Sequence, residues 1–192
     1  MQRIDHRPQF SGLAQWKSQV ARKVLPLIMR SSIRPLWGSR VPVVWQRKLT
    51  EAALRNGWVP RQAVVGETRL AQQRAEVITP HDGSTDQVVF FMHGGGYVVC
   101  SPSTHRPLTS RIGLALNATT YVPYYRLAPE HVFPAGLDDA LDAYRGLLDR
   151  GVNPARVALM GDSAGGGLAL ALALSIRDQG LPLPGTLVLI SP

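Results

Sequence analysis

Ser163 lies in the pentapeptide GDSAG at 161–165, where a short apolar run ends and a glycine-rich segment begins. Residues 157–160 are typical of a buried strand, and residues 165–176 are typical of a helix buried against a sheet. A serine on the sharp turn between them has a strained backbone, and its hydroxyl points out at the carboxyl end of the sheet. Such a hydroxyl is placed to attack a carbonyl carbon.

Two glycines flank this serine, and a helix begins directly after it. Side chains at Gly161 and Gly165 would collide with the neighbouring strand and helix, so the glycines clear the space that the turn needs. We expect the N–H of Ala164, at the helix N-terminus, to donate to an oxygen that becomes negative during acyl transfer. On the pentapeptide alone, plain strand–helix packing explains the pattern equally well.

A second motif favours the chemical interpretation. The apolar strand predicted at 87–92 runs directly into His93, three glycines and Tyr97. Successive glycines let the main chain approach a ligand closely and turn its N–H groups inward. We therefore predict an oxyanion hole formed by the N–H groups of Gly95, Gly96 and Ala164.

A third motif lies between these two. Residues 125–131 read YRLAPEH, and residues 133–135 read FPA. With HGGG at 93–96 and GDSAGG at 161–166, the chain resembles the hormone-sensitive-lipase-like branch of the α/β-hydrolases, which contains bacterial esterases and lipases. The match is strong over about residues 76–192. The resemblance implies hydrolysis of small-molecule carboxylic esters through an acyl-enzyme on Ser163, with no metal and no organic cofactor.

The resemblance also implies supporting positions. In related esterases the histidine at the position of His93 orients the oxyanion loop, and Gly94 and Asp162 belong to the same two motifs. We expect Arg126 and Glu130 to form an ion pair that holds the wall beside this loop.

The rest of a catalytic triad is missing from the sequence. A serine becomes an adequate nucleophile when a histidine accepts its proton and a carboxylate orients that histidine, and this fold orders them Ser, acid, His. After Ser163 the only acidic residue is Asp178, and all five histidines precede the serine. His93 and His131 are unsuitable, because the base must reach Ser163 from the side opposite the oxyanion donors.

Two functions therefore stay open. The sequence stops at Pro192, two residues after an apolar strand predicted at 186–190, where the resembling family continues. We expect the 192 residues to be the N-terminal portion of a larger hydrolase. The first function is serine-dependent ester hydrolysis with a His–Asp pair absent from this chain, and the second is a truncated, non-catalytic remnant or acyl-binding module.

Strand and helix patterns alternate along the chain, which predicts a doubly wound, mostly parallel α/β sheet. We expect an extended segment at 67–79 with a turn at Asp82-Gly83, a helix capped by Ser103 or Thr104, a strand at 119–123, and a helix at 137–148. Asp138 and Asp139 open that last helix and are expected to favour its dipole.

The N-terminal part has a different character, so we divide the chain into basic cap-like helices at 1–62 and a partial hydrolase core at 63–192. One helix is predicted around 20–28 and a second at 42–56, with Trp45 and Leu49 in an apolar stripe. Tryptophans 16, 37, 45 and 58 suit a lid over an apolar substrate, and ordinary packing is the alternative.

Charge and composition limit the remaining classes. Of the net charge of +8, residues 1–80 carry 14 basic and 4 acidic side chains, and residues 81–192 carry 7 and 9. The basic residues are spread singly, which favours solvated helix faces over a nucleic-acid or membrane-surface site. The apolar run at 24–29 is too short for a signal peptide or a stable membrane insertion. Cys100 is the only cysteine, so we predict a buried apolar role for it and a cytoplasmic protein; a homo-oligomer stays open.

Overall fold

The computed structural model of the protein describes residues 41–81 and 86–192. Val43–Pro192 form one compact unit. The predicted helix at 20–28, Trp16, Trp37 and the turn at Asp82-Gly83 lie outside the described residues. The division into a cap at 1–62 and a core at 63–192 stays a prediction.

The first helix is followed by three successive strands, and from residue 88 onward strands and helices alternate. The helices are α1 (Val43–Leu54), α2 (Pro102–Ala115), α3 (Ala135–Asp149) and α4 (Ala164–Asp178). The strands are β1 (Ala63–Leu70), β2 (Gln73–Pro80), β3 (Val88–Met92), β4 (Thr119–Pro123), β5 (Val157–Asp162) and β6 (Thr186–Ile190).

The strands form one sheet in the order β1-β2-β4-β3-β5-β6. Strands β4, β3, β5 and β6 are mutually parallel, whereas β2 is antiparallel to both β1 and β4. This confirms the mostly parallel α/β sheet. The extended segment predicted at 67–79 is instead a hairpin, because the chain reverses at Ala71, which has a φ of 48°.

The core lies on both faces of the sheet, as a doubly wound fold requires. Strand β3 is buried along its whole length, and its successive side chains point to opposite faces. Phe90 and Met92 pack with α3 and α4, for example with Tyr144, whereas Val89 and Phe91 pack on the other face, where Ile112 of α2 covers them. The continuous apolar run of β3 therefore contributes side chains to the core on each face of the sheet.

Two helices differ in detail from the prediction. The N-cap of α2 is Ser101, whose N–H donates to Thr104 Oγ1 at 3.1 Å, so the predicted cap at Ser103 or Thr104 is wrong. The predicted α1 is confirmed, but its apolar stripe is exposed, with Trp45 57% accessible. Its inward side is polar: Glu51 accepts a hydrogen bond from Ser103 at 2.9 Å, and Arg47 binds loop carbonyls.

Candidate active site

Ser163 stands between the last residue of β5 and the first residue of α4. Its φ of 50° and ψ of −127° are strained for a non-glycine residue. The residue is exposed, its N–H donates to Ile190 O at 2.8 Å, and its carbonyl accepts from Gly166 N at 2.9 Å. Neighbouring main chain thus fixes the strained turn on both sides.

The flanking glycines are sterically required, as predicted. A Cβ at Gly161 would lie well under 3.0 Å from Gly165 O, and a Cβ at Gly165 would lie equally close to Met92 O and His93 O. All these atoms are backbone, so they cannot move aside like the end of a side chain. The absence of a Cβ at Gly165 brings the start of α4 against the end of β3.

The segment 93–99, which we call the oxyanion loop, begins where β3 ends. Met92 pairs with Gly161 across the parallel strands, so the loop starts level with Ser163. Gly95 and Gly96 have φ values of 119° and 62°, a region that favours glycine. A Cβ at Gly95 would overlap Val99 O. The structure thus brings the two glycine motifs together.

Three main-chain N–H groups at this junction are free to donate. Within residues 41–81 and 86–192, no hydrogen bond is made by the N–H groups of Gly95, Gly96 or Ala164. Ala164 is the first residue of α4, so its N–H has no intrahelical acceptor and lies at the positive end of the helix dipole. These groups can stabilise negative charge on an oxygen near Ser163.

His93 is buried at the start of the oxyanion loop, where its ring contacts Gly94 and Tyr125. Its Nδ1 lies 2.8 Å from Gly94 O, its ring stacks on Tyr125 at 4.3 Å between centroids, and the Tyr125 hydroxyl donates to His93 O at 2.6 Å. Burial, only partly opposed by the hydrogen bond to Gly94, lowers the pKa of His93 to about 4. A neutral, enclosed imidazole is suited to holding the loop.

Asp162 connects the two motifs directly. Its Oδ1 accepts a hydrogen bond from Gly94 N at 2.9 Å and lies 3.4 Å from His105 Nε2. Burial opposes ionisation of Asp162, but His105 and the Gly94 N–H outweigh it and lower the pKa of the carboxyl. Sequence reasoning missed His105, which is in α2 and is 57 positions from Asp162; a histidine one turn into the helix after HGGG was the available signal.

The predicted ion pair between Arg126 and Glu130 is wrong. Arg126 binds Asp139 instead, through Nη2 to Oδ1 at 2.8 Å and through its backbone N–H to Oδ2 at 2.8 Å. Glu130 binds Arg47, with Nη1 to Oε1 at 2.9 Å. Asp139 therefore does more than favour the dipole of α3, because it is buried and fastens the chain that follows β4.

We expect Asp139→Ala to lower the free energy of unfolding by about 3 kcal/mol, since it removes a buried carboxylate and leaves the Arg126 N–H without its acceptor. Urea unfolding measures this. The neighbouring Asp138→Ala is the matched control, because Asp138 is exposed in the first turn of the same helix and should cost under about 1 kcal/mol. Equal losses in the two variants would contradict the buried role of Asp139.

A cavity of about 460 Å³ opens beside the oxyanion loop. Its lining comes from Gly96 and Tyr97 of the loop, from Gly167, Leu168 and Ala171 of α4, and from residues between 125 and 137, which we call the wall segment. Phe133 of this segment is 83% exposed. The cavity is mainly apolar and can hold a small apolar group between Gly96 and the first turns of α4, although Ser163 itself does not line it.

The described residues place no base on Ser163. Among residues 41–81 and 86–192, no side chain forms a hydrogen bond with its hydroxyl. His93 is enclosed, His105 contacts Asp162, His131 is exposed in the wall segment and His81 is exposed after β2. His6 lies outside the described residues. Cys100, predicted to be buried, is only partly buried.

The described chain contains neither a metal-binding cluster nor a membrane-spanning helix. No group of three or more His, Cys, Asp or Glu side chains there is arranged to hold a metal ion. None of its helices combines the length and the apolar character needed to cross a bilayer.

Comparison with known proteins agrees with this geometry. The sequence profile of the alpha/beta hydrolase fold family matches residues 89–192. An acetyl-hydrolase of Streptomyces hygroscopicus is 40% identical over 171 residues, which are 86% of this chain and 55% of that protein. The carboxylesterase/phospholipase LipF of Mycobacterium tuberculosis is 36% identical over 184 residues, 90% of this chain and 48% of that protein.

Solved structures give the same assignment. A crystal structure of an esterase from the bacterial hormone-sensitive lipase family has a TM-score of 0.80 and 36% identity, over 91% of this chain and 57% of that one. The chain thus spans about half the length of the relatives it matches. From its sheet, its two glycine motifs and these relatives, the chain belongs to the α/β-hydrolase fold family, in the branch of the hormone-sensitive-lipase esterases.

Proposed function

We propose that the protein hydrolyses carboxylic esters by acyl transfer through Ser163. The hydroxyl attacks the acyl carbon, and the N–H groups of Gly95, Gly96 and Ala164 stabilise the oxyanion of the tetrahedral intermediate. The supporting observation is that Gly165, without a Cβ, packs against His93 O and so sets the serine turn beside the triple-glycine loop. Relatives of this chain are named acetyl-hydrolase and carboxylesterase.

The acyl-enzyme is released by water, so the reaction uses no cofactor. A histidine accepts the serine proton and returns it to the leaving alcohol, and a carboxylate keeps this histidine in the correct tautomer. No histidine follows Ser163 in the 192 residues, which span about half the length of the relatives, so we place this pair in sequence outside them. Asp162 and His93 hold the loop and do not touch the substrate.

The substrate we propose is a small-molecule ester with a short apolar group. The cavity of about 460 Å³ beside Gly96 accepts such a group, and Val132, Leu137 and Leu168 supply apolar contacts. We also propose the cytoplasm as its compartment, since a single cysteine gives no intramolecular disulfide.

A second function, binding of an acyl group without turnover, is favoured by one observation. His93 begins the loop that packs on the serine turn, and its burial, its stacking on Tyr125 and its low pKa make it unsuitable as a base, while His105 contacts Asp162. Acyl binding without turnover needs only the cavity, so it predicts no special reactivity of Ser163.

A fluorophosphonate probe distinguishes the two functions. We expect the 192-residue chain to be labelled at Ser163 about a thousandfold faster than at surface serines, because oxyanion stabilisation persists without a base. Added imidazole should accelerate labelling by acting as an external base, and Ser163→Ala should remove it. A folded chain that resists the probe even with imidazole would contradict the esterase and favour acyl binding.

A further inference from the structure

Arg47 projects from α1 to the two segments that border the cavity. Its Nε donates to Val98 O of the oxyanion loop at 2.7 Å, and its Nη2 donates to Ala128 O of the wall segment at 2.6 Å. The carboxylate of Glu130 accepts from Nη1 at 2.9 Å and from Nη2 at 2.7 Å. One guanidinium therefore connects α1, the oxyanion loop and the wall segment.

The oxyanion loop needs such support. Gly95, Gly96 and Tyr97 of the loop and Cys100 directly after it all have positive φ values, and two of these residues are not glycine. A side chain in that region costs on the order of 1–3 kcal/mol, so it persists only where the surroundings impose it. Left to itself, a segment with this backbone would relax to other conformations.

The contacts of Arg47 close a ring around the strained residues. Ala128 N donates to Tyr97 O at 2.9 Å, Ala128 O accepts from Arg47, and Arg47 donates to Val98 O, next to Tyr97. The planar fork of arginine makes these bonds and the bidentate pair with Glu130 at the same time, which the single ammonium of lysine cannot do. The Arg47 side chain is 28% exposed, so its carbonyl contacts are partly shielded from water.

We propose that Arg47 is a positioning residue, which holds the oxyanion loop so that the Gly95 and Gly96 N–H groups stay aimed at the oxyanion site. It touches neither substrate nor Ser163 and acts through Val98 and Ala128. The proposal deepens the proposed esterase function and rests on it for its catalytic consequence.

Hydrogen exchange measured by mass spectrometry tests the positioning without any need for activity. We expect Arg47→Ala to exchange roughly tenfold faster in peptides covering 94–100 and 127–134, which equals about 1.4 kcal/mol, with β3 and β5 unchanged. Arg150→Ala is the matched control, since Arg150 also donates to a side chain and a carbonyl, Thr68 Oγ1 and Arg69 O, away from the loop. Unchanged exchange in both peptides would overturn the proposal.

Two further variants separate positioning from simple ion pairing. Arg47→Glu combined with Glu130→Arg restores opposite charges but removes the guanidinium from α1, so we expect exchange as fast as in Arg47→Ala; wild-type protection would overturn the proposal. If Arg47→Ala does not fold, Arg47→Lys keeps the charge and the stem and loses the fork. It should then show the same local acceleration, and wild-type exchange in Arg47→Lys would again overturn the proposal.

Ester hydrolysis by the 192-residue chain, with imidazole added as the external base and Ser163→Ala as the background, adds a catalytic measurement. Because the oxyanion forms only on the way to the tetrahedral intermediate, Arg47→Ala should lower kcat roughly tenfold and change KM less than about twofold. A rise in KM alone would contradict positioning. A folded wild type whose Ser163 resists the fluorophosphonate probe even with imidazole would refute the esterase function, while the exchange result would still decide whether Arg47 holds the loop.

Discussion

Replacing Gly165 by alanine is expected to lower the free energy of unfolding by about 3 kcal/mol and to abolish probe labelling of Ser163. The added methyl group would overlap Met92 O and His93 O, both fixed in or next to the central strand β3. Relief requires α4 to move away from β3. That movement would separate the Ala164 N–H from the N–H groups of Gly95 and Gly96.

Gly167→Ala is the matched control in the same helix. A Cβ there meets only the Tyr97 hydroxyl, the end of an exposed side chain that can turn aside, and alanine favours a helix by about 1 kcal/mol over glycine. Thermal unfolding should therefore show Gly167→Ala at or slightly above wild-type stability. If Gly165→Ala were as stable as Gly167→Ala, the close packing of the serine turn on β3 would be refuted.

The parts of the fold that the sequence predicts well are those encoded by neighbouring residues. Buried parallel strands are continuous apolar runs, so β3 and β6 were predicted to within about one residue. The serine turn was predicted because the two glycines lie between a strand pattern and a helix pattern, and the HGGG motif at 93–96 favoured a reactive turn over plain packing. The β1–β2 hairpin was not predicted. The chain reverses there at Ala71 and Gln72, and neither alanine nor glutamine is among the residue types common in turns.

The contacts that support the site escaped prediction for another reason. Asp162 meets Gly94 across 68 positions, and Arg47 meets Glu130 across 83. No local sequence pattern specifies such partners. Glu130 lies close to Arg126 in sequence and was predicted to pair with it, but Arg126 binds Asp139. The polar inner side of α1 was missed for the same reason. The acceptors of Arg47 are carbonyls of the oxyanion loop and the wall segment, 51 and 81 positions away in sequence.

The two buried side chains that support the oxyanion loop, His93 and Tyr125, are both uncharged. His93 is neutral, Tyr125 donates to its carbonyl, and burial raises the pKa of the Tyr125 hydroxyl. The carboxylate of Asp162 is only partly buried, and it accepts a hydrogen bond from the Gly94 N–H and lies 3.4 Å from His105 Nε2. Protonation of His93 would place a cation inside this enclosure without a direct carboxylate partner, so the loop should be sensitive to acid.

Acid is therefore expected to destabilise the protein through His93. The pKa of about 4 in the folded protein lies below the ordinary value of 6.5, so between these values the unfolded chain binds the proton and the folded chain does not. Stability is complete above about pH 6.5 and falls as the pH decreases to about 4, by roughly 3 kcal/mol in total. Urea unfolding at a series of pH values measures this loss.

His93→Asn should remove that pH dependence, because the asparagine amide can still donate to Gly94 O but does not titrate. His81→Asn, at an exposed position after β2, is the matched control and should keep the wild-type slope. Asp162 also loses stability in acid, since its folded pKa is lowered, but it does so below its ordinary value of 3.8 and outside this window. A slope unchanged in His93→Asn would therefore mean that His93 is not held neutral by burial.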